Sequence, residues 1–176
     1  MRAPAFWTRD GWLPRLLAPL GALTARSTAR RVARPGWRAP VPVICCGNAT
    51  VGGAGKTTLA IDLIRRLRAM GHAPHALTRG HGGAIPGPHR VGPDDTARDV
   101  GDEALLLAAE CPAWVGADRG ETARRAVEAG ATVLVMDDGL QNPSLEKDIA
   151  LLVVDGASGF GNGRPMPAAP SRPGPR

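Results

Sequence analysis

The stretch VPVICCGNATVGGAGKTTLAIDLIRRL, Val41 to Leu67, decides how the rest of this chain is read. It opens on an apolar, β-prone run from Val41 to Cys46. It passes through Gly52-Gly53-Ala54-Gly55, reaches Lys56-Thr57-Thr58, and continues with apolar residues at helical spacing (Leu59, Ile61, Leu63, Ile64, Leu67). A strand that ends in a glycine-rich loop and opens a helix aims main-chain N–H groups, a helix N-terminus and one lysine at a single anion. The expected ligand is a nucleoside triphosphate. Gly52 and Gly53 let the backbone approach phosphate oxygens without a Cβ in the way. Lys56 is expected on the β- and γ-phosphates and the Thr57 hydroxyl on Mg²⁺. The strict phosphate-loop pattern has its first glycine where this chain has Thr50, and Gly47 stands three residues earlier.

Outward from this unit, apolar β-rich runs recur at Pro74 to Thr78, Ala113 to Ala117, Thr132 to Met136 and Ile149 to Val154. Helical patterns fall between several of them, at Lys56 to Met70, Asp102 to Cys111 and Arg119 to Ala129. The alternation predicts an α/β fold of the P-loop NTPase kind, a mostly parallel sheet of about five strands with flanking helices. An N-terminal amphipathic helix precedes it. The Gly/Pro-rich stretch from Arg79 to Pro93 reads as one long loop, a place where function concentrates.

Three acidic clusters are candidates for chemistry. Val133-Leu134-Val135-Met136-Asp137-Asp138 reads as a buried strand delivering carboxylates at its C-terminal end, where open α/β sheets bind ligands. Both Asp137 and Asp138 are expected near the metal, one directly and one through water, because neighbours on a strand face opposite ways. Gly101-Asp102-Glu103 starts a helix. Its acids are either ordinary partners of the helix dipole or, in the case of Asp102, a base for an attacking hydroxyl. Asp118-Arg119 is likewise a helix cap or, through Arg119, a phosphate clamp. Arg79-Gly80-His81-Gly82-Gly83 supplies a cationic loop in which His81 reads as a solvated residue.

The 176 residues are 43% hydrophobic, enough for one core. The formal charge of +6 is unevenly spread: residues 1–38 hold eight arginines and one acid, whereas residues 39–163 hold eleven Lys/Arg against fifteen acids. The basic balance therefore belongs to the ends of the chain. Aromatics make up only 3%, too few for stacking platforms, and no nucleic-acid partner is expected. Cys45, Cys46 and Cys111 are odd in number, and two lie inside a strand, which fits a reducing compartment. In the first forty residues Trp12, Leu13, Leu16, Leu17, Leu20 and Leu23 interleave with Arg9 and Arg15 and precede Arg26, Arg30, Arg31 and Arg34. Such a segment suits the headgroup boundary of an anionic membrane, and the plain alternative is a helix packed on its own domain. The expected division is a membrane-associating segment over residues 1–38, a kinase-like core over 39–164 and a disordered Pro/Ala/Arg-rich tail over 165–176.

Taken in order, Ala3-Pro4 with Phe6-Trp7, Gly47-Asn48 through Lys56-Thr57, Arg79-Gly80-His81-Gly82-Gly83, Gly101-Asp102-Glu103, Asp118-Arg119, Asp137-Asp138-Gly139-Leu140-Gln141 and Gly159-Phe160-Gly161-Asn162-Gly163-Arg164 resemble the tetraacyldisaccharide 4′-kinase (lipid A 4′-kinase) family. The resemblance implies transfer of the γ-phosphoryl of ATP, with Mg²⁺, to the 4′-hydroxyl of a tetraacyldisaccharide 1-phosphate. It also implies a peripheral place on the cytoplasmic face of the bacterial inner membrane. On this resemblance Gly52, Gly53, Ala54, Gly55, Lys56, Thr57 and Thr58 bind nucleotide, and Thr57, Asp137 and Asp138 serve the metal. Asp102 is then the catalytic base, with Lys56 and Arg119 beside the reacting groups.

Departures from the family pattern are Thr58 in place of a usual Pro, His81 in place of Tyr, and Asn142 where many members have His. After Arg164 the family continues into a second domain that supplies a histidine partner to the base. Here a Pro-rich tail follows instead. The resemblance therefore implies a truncated frame, weak nucleotide binding and catalysis in doubt. Two other readings stay open: a deviant P-loop switch ATPase resembling the ParA/MinD group, whose signature lysine should stand where this chain has Val51, and a non-catalytic nucleotide-binding remnant.

Overall fold

Three near-continuous apolar runs form the middle of a sheet buried on both sides, as parallel strands must be. A computed structural model describes residues 12–33, 35–48, 55–154 and 156. Its elements, in chain order, are α1 (Trp12–Val32), β1 (Val43–Asn48), α2 (Lys56–Ala69), β2 (Pro74–Thr78), β3 (His89–Arg90), α3 (Ala97–Val100), α4 (Asp102–Ala108), β4 (Ala113–Val115), α5 (Arg119–Glu128), β5 (Val133–Asp137) and β6 (Ile149–Val153). Across the sheet the order is β3-β4-β2-β5-β1-β6. All neighbours are parallel except β3, which runs antiparallel to β4.

The sheet has six strands where about five are expected. The extra one is β3, two residues inside the stretch read as a loop, with His89 opposite Val115 and Arg90 opposite Trp114. A two-residue strand carries no periodicity of its own. Its signal lies in the distant strand it pairs with. The short α3 was also unforeseen. It is opened by a capping box in which Thr96 and Asp99 satisfy each other's backbone donors. Residues 1–11, 49–54 and 157–176 lie outside the described residues, and with them the tail 165–176 and the Gly159–Arg164 block.

Strand alternation sorts the core onto two faces. Val43, Cys45, Leu77, Leu134 and Met136 meet Ala123 and Ala126 of α5 on one side. Cys46, Ala76, Ala113 and Val135 meet Ala60 and Ile64 of α2 and Leu107 of α4 on the other. The small residues Ala123 and Ala126 form the contact face of α5, and Ala60 and Ile64 that of α2, and the starts of both helices are carried to the C-terminal ends of the strands. The exposed side of α2 carries the Asp62–Arg66 pair at i, i+4 spacing, 2.8 Å apart.

Helix α1 presents a stripe of exposed leucines, Leu16 at 66%, Leu20 at 54% and Leu23 at 67% exposure. Its Arg26 and Arg30 are also exposed. Among the described residues no helix is long and apolar enough to cross a membrane. The chain leaves α1 through Gly36 and Trp37, which run beside the segment Pro143–Leu145. Trp37 N–H donates to the Ser144 carbonyl at 2.9 Å, and its ring lies under the Arg124 guanidinium at 4.8 Å.

Candidate active site

Four strands end at one rim, and each delivers a polar residue there. β1 ends on Asn48, β5 on Asp137 followed by Asp138, β2 runs into Arg79, and β4 leads through Ala117 to Arg119. Opposite them α2 begins with Lys56 and Thr57. Its N-cap, Gly55, adopts the left-handed conformation at φ 80°, which only glycine takes without strain. This conformation brings the chain out of the glycine-rich loop and directly into helix. Gly52, Gly53 and Ala54 lie outside the described residues.

The contacts across the rim are short and polar. Thr57 Oγ1 donates to Asp137 Oδ2 at 2.8 Å. Lys56 Nζ donates to Asn48 Oδ1 at 3.2 Å and pairs with Asp138 Oδ1 at 3.5 Å. Asp137 is 1% exposed, and its second oxygen, Oδ1, is buried without a hydrogen-bond partner. Burial raises the Asp137 carboxyl to about 6, against the Thr57 hydroxyl bond that lowers it, and the nearby Glu103 carboxylate pushes it further up. A buried carboxylate with one vacant oxygen beside a hydroxyl is a hard oxygen donor set, and it fits a Mg²⁺ ion.

Asp138 stands outside β5 with φ 54°, a left-handed backbone that aspartate tolerates better than most residues. Strand alternation therefore does not separate the two carboxylates as expected. The turn swings Asp138 round to Lys56, and both acids face the start of α2.

A pocket of about 290 Å³ adjoins this cluster, lined by Asn48, Arg79, Arg119, Asp138, Gln141 and Asn142 among others. Arg119 forms its floor at 1% exposure, donating from Nη1 to the Gly116 carbonyl. Burial lowers its pKa to about 10; Asp138 acts against that shift and Arg79 adds to it. The far wall is pinned. Asn142 Oδ1 accepts from Ser144 N at 2.9 Å and Ser144 Oγ at 2.7 Å, and Ser144 Oγ accepts from Gly120 N at 3.1 Å.

The other sequence candidates fall as follows. Asp118 is a helix cap, accepting from the Glu121 N–H at 3.1 Å, while its neighbour Arg119 lines the pocket. Thr58 is exposed in the first turn of α2. Asp102 is exposed at the start of α4, and among the described residues its carboxylate has no hydrogen bond or ion pair. Gly101 precedes it at φ 84°, where an added Cβ would come within 2.4 Å of the His81 carbonyl. Loop 80–83 is thus held against the base of α4. Asn48, Gln141 and Asn142 were seen in the sequence only as parts of motifs, and their common pocket had no local signal.

Residues 13–175 match the family model described as tetraacyldisaccharide-1-P 4′-kinase. A relative named tetraacyldisaccharide 4′-kinase in Gluconacetobacter diazotrophicus is 59% identical over 98% of this chain and 54% of its own length. One of the same name in Gluconobacter oxydans is 55% identical over 97% of this chain and 53% of its own. The chain therefore spans about half the length of the curated relatives it matches. Among solved structures, the "apo" form of LpxK from Aquifex aeolicus in complex with ATP superposes with a TM-score of 0.75 at 26% identity. The match covers 91% of this chain and 54% of that one.

Proposed function

The chain belongs to the tetraacyldisaccharide-1-P 4′-kinase family, and from that premise we propose that it carries the nucleotide half of an ATP-dependent lipid A 4′-kinase. The single observation that carries this reading is the pairing of Thr57 with Asp137 at 2.8 Å, beside a lysine and an unpartnered buried carboxylate oxygen. In this proposal the backbone of Gly52, Gly53, Ala54 and Gly55, with Thr58, cradles the phosphates of ATP. Lys56 holds the β- and γ-phosphates, leaving Asn48 and Asp138 when the anion arrives. Thr57, Asp137 and Asp138 would hold Mg²⁺, which when bound neutralises charge on the phosphates.

The acceptor is the 4′-hydroxyl of tetraacyldisaccharide 1-phosphate. Its oxygen forms a bond to the γ-phosphorus as the bond to the ADP oxygen breaks, and its proton passes to the Asp102 carboxylate. The exposure of Asp102 suits this part, because a base must reach the incoming alcohol. Arg119 supplies fixed positive charge beside the transferring group.

A lipid acceptor has to be met at a membrane. The exposed stripe Leu16, Leu20 and Leu23, followed by Arg26 and Arg30, supports a peripheral helix with leucines in the headgroup boundary and arginines on anionic lipid. The site proposed is the cytoplasmic face of the inner membrane.

The test is incubation of the chain with labelled ATP, Mg²⁺ and tetraacyldisaccharide 1-phosphate on mixed vesicles, alongside calorimetry of ATP binding. Lys56→Ala is expected to weaken ATP binding roughly 10- to 100-fold, the effect of losing one hydrogen-bonded charge (about 1.5–3 kcal/mol). Asp102→Ala is expected to abolish transfer while leaving ATP affinity unchanged. Equal transfer by Asp102→Ala removes it as the base, and an absence of ATP binding by the folded wild type overturns the whole reading.

A further inference from the structure

The pocket that Asn48 and Asp138 line holds two like charges with no anion between them in its lining other than Asp138. Arg119 is 1% exposed, and its Nε is buried with no hydrogen-bond partner. Among the described residues it forms no ion pair. Its guanidinium remains cationic at neutral pH, since burial brings its pKa down only to about 10. A second arginine, Arg79, lines the same pocket, and the two repel each other. Asp138 supplies the leading attraction to Arg119, yet it is also the carboxylate that pairs with Lys56 at 3.5 Å. A buried guanidinium with an unpartnered Nε, in the lining of the same polar pocket as a second guanidinium that repels it, is an arrangement that an anion held by both would complete.

We propose that this pocket is a second phosphate-binding site, in which Arg79 and Arg119 hold phosphoryl oxygens independently of Lys56 and the glycine-rich loop. The inference rests on the kinase reading for its setting and shares Arg119 with it, while Arg79 has no part in that reading. Several features fit a phosphate monoester. Guanidinium groups match its oxygens with paired donors. The polar side chains of Gln141 and Asn48 also line the pocket. The volume of about 290 Å³ stands at the small end of ligand pockets. The walls are also built to stay in place. Arg119 begins α5 just after its Asp118 cap, Ser144 ties Gly120 to Asn142, and Trp37 holds Ser144 from behind. The phosphate has two available sources: the γ-phosphoryl of a nucleotide on Lys56, or a separate phosphate, free or borne by the acceptor.

The experiment is calorimetric titration of the full chain with inorganic phosphate at constant ionic strength, on wild type, Arg79→Gln, Arg119→Met and Lys56→Ala. The expected result is saturable binding to wild type and to Lys56→Ala, weakened at least about fivefold in Arg79→Gln. Arg79 is exposed, so its variant keeps the test valid even where Arg119→Met fails to fold. Equal phosphate binding by Arg79→Gln and wild type overturns the proposal, as does complete loss in Lys56→Ala, which would place the ion in the glycine-rich loop. Repeating the titration on protein saturated with ATP, and then with ADP, separates the sources. Competition by ATP but not ADP assigns the pocket to the γ-phosphoryl, and undiminished binding in both assigns it to a separate phosphate. Failure of wild type to bind ATP would sink the kinase reading, yet the phosphate titration would still decide the pocket.

Discussion

Within a single strand the molecule changes character. From Val133 to Met136, β5 is a row of buried apolar side chains whose backbone groups are taken up by β1 and β2. One residue further, Asp137 buries a carboxylate with one oxygen unpartnered, and Asp138 takes a left-handed backbone. The same contrast holds elsewhere. The middle of β2 packs Ala76 and Leu77, while its continuation, Arg79, lines a pocket together with the buried Arg119. Among the described residues, the buried side-chain nitrogen and oxygen atoms without a hydrogen-bond partner are Arg119 Nε and Asp137 Oδ1, both at the rim. The rim collects them, and it does so where an arriving polyanion and cation would satisfy them. Local frustration gathered at one edge of a well-packed sheet is the physical signature of a site.

The sharpest way to break this comparison is to damage the interior. Leu134 is fully buried between β1 and β2, so Leu134→Ala should cost about 3–4 kcal/mol in urea unfolding, as deletion of a fully packed leucine does. A loss below about 1 kcal/mol would mean that the middle of the sheet is not the stabilising region claimed.

Next comes the rim, where removing a charge should help. Asp137 has its pKa raised by burial from 3.8 to about 6. A carboxyl whose folded pKa is raised favours the folded state below its unfolded value, and that advantage is lost as pH climbs through about 6. In the absence of metal and nucleotide, Asp137→Asn should therefore gain on wild type by about 2–3 kcal/mol between pH 4 and pH 7. Unfolding curves at four pH values check this. A constant difference across the range would show that the buried carboxylate carries no such penalty.

The smallest effect belongs to a surface contact behind the pocket wall. Arg124 lies over the Trp37 ring at 4.8 Å and is exposed, so Arg124→Ala should cost only about 0.5–1 kcal/mol and leave ATP affinity unchanged. A larger change in affinity would mean that the segment after α1 controls the pocket wall it touches through Ser144.

Much of this could be read without coordinates. The unit from strand to lysine to helix is local: the chain order of β1, Gly55, Lys56 and α2 is also their order in space. The bounds of β2, Pro74–Thr78, match the apolar run, because a buried strand and an apolar run are the same physical requirement. The capping role open to Asp118 was legible for the same reason, since a cap bonds three residues along its own chain. What could not be read was non-local. The place of Arg119 just after a strand marked it as a candidate, but nothing in Arg119-Gly120-Glu121-Thr122-Ala123-Arg124-Arg125 foretold that the first arginine is almost fully buried and the last two exposed.

The sequence by itself determined the alternation of strands and helices, the family, and the presence of a lysine and two aspartates at the places where a phosphate site needs them, because each follows from residues adjacent in the chain. Only the tertiary structure decided that Asp138 turns back to meet Lys56, that β3 pairs with β4, and that Arg79 and Arg119 share one pocket. Those juxtapositions are set by strand order and helix packing, and the chain joins their parts only through long intervening segments.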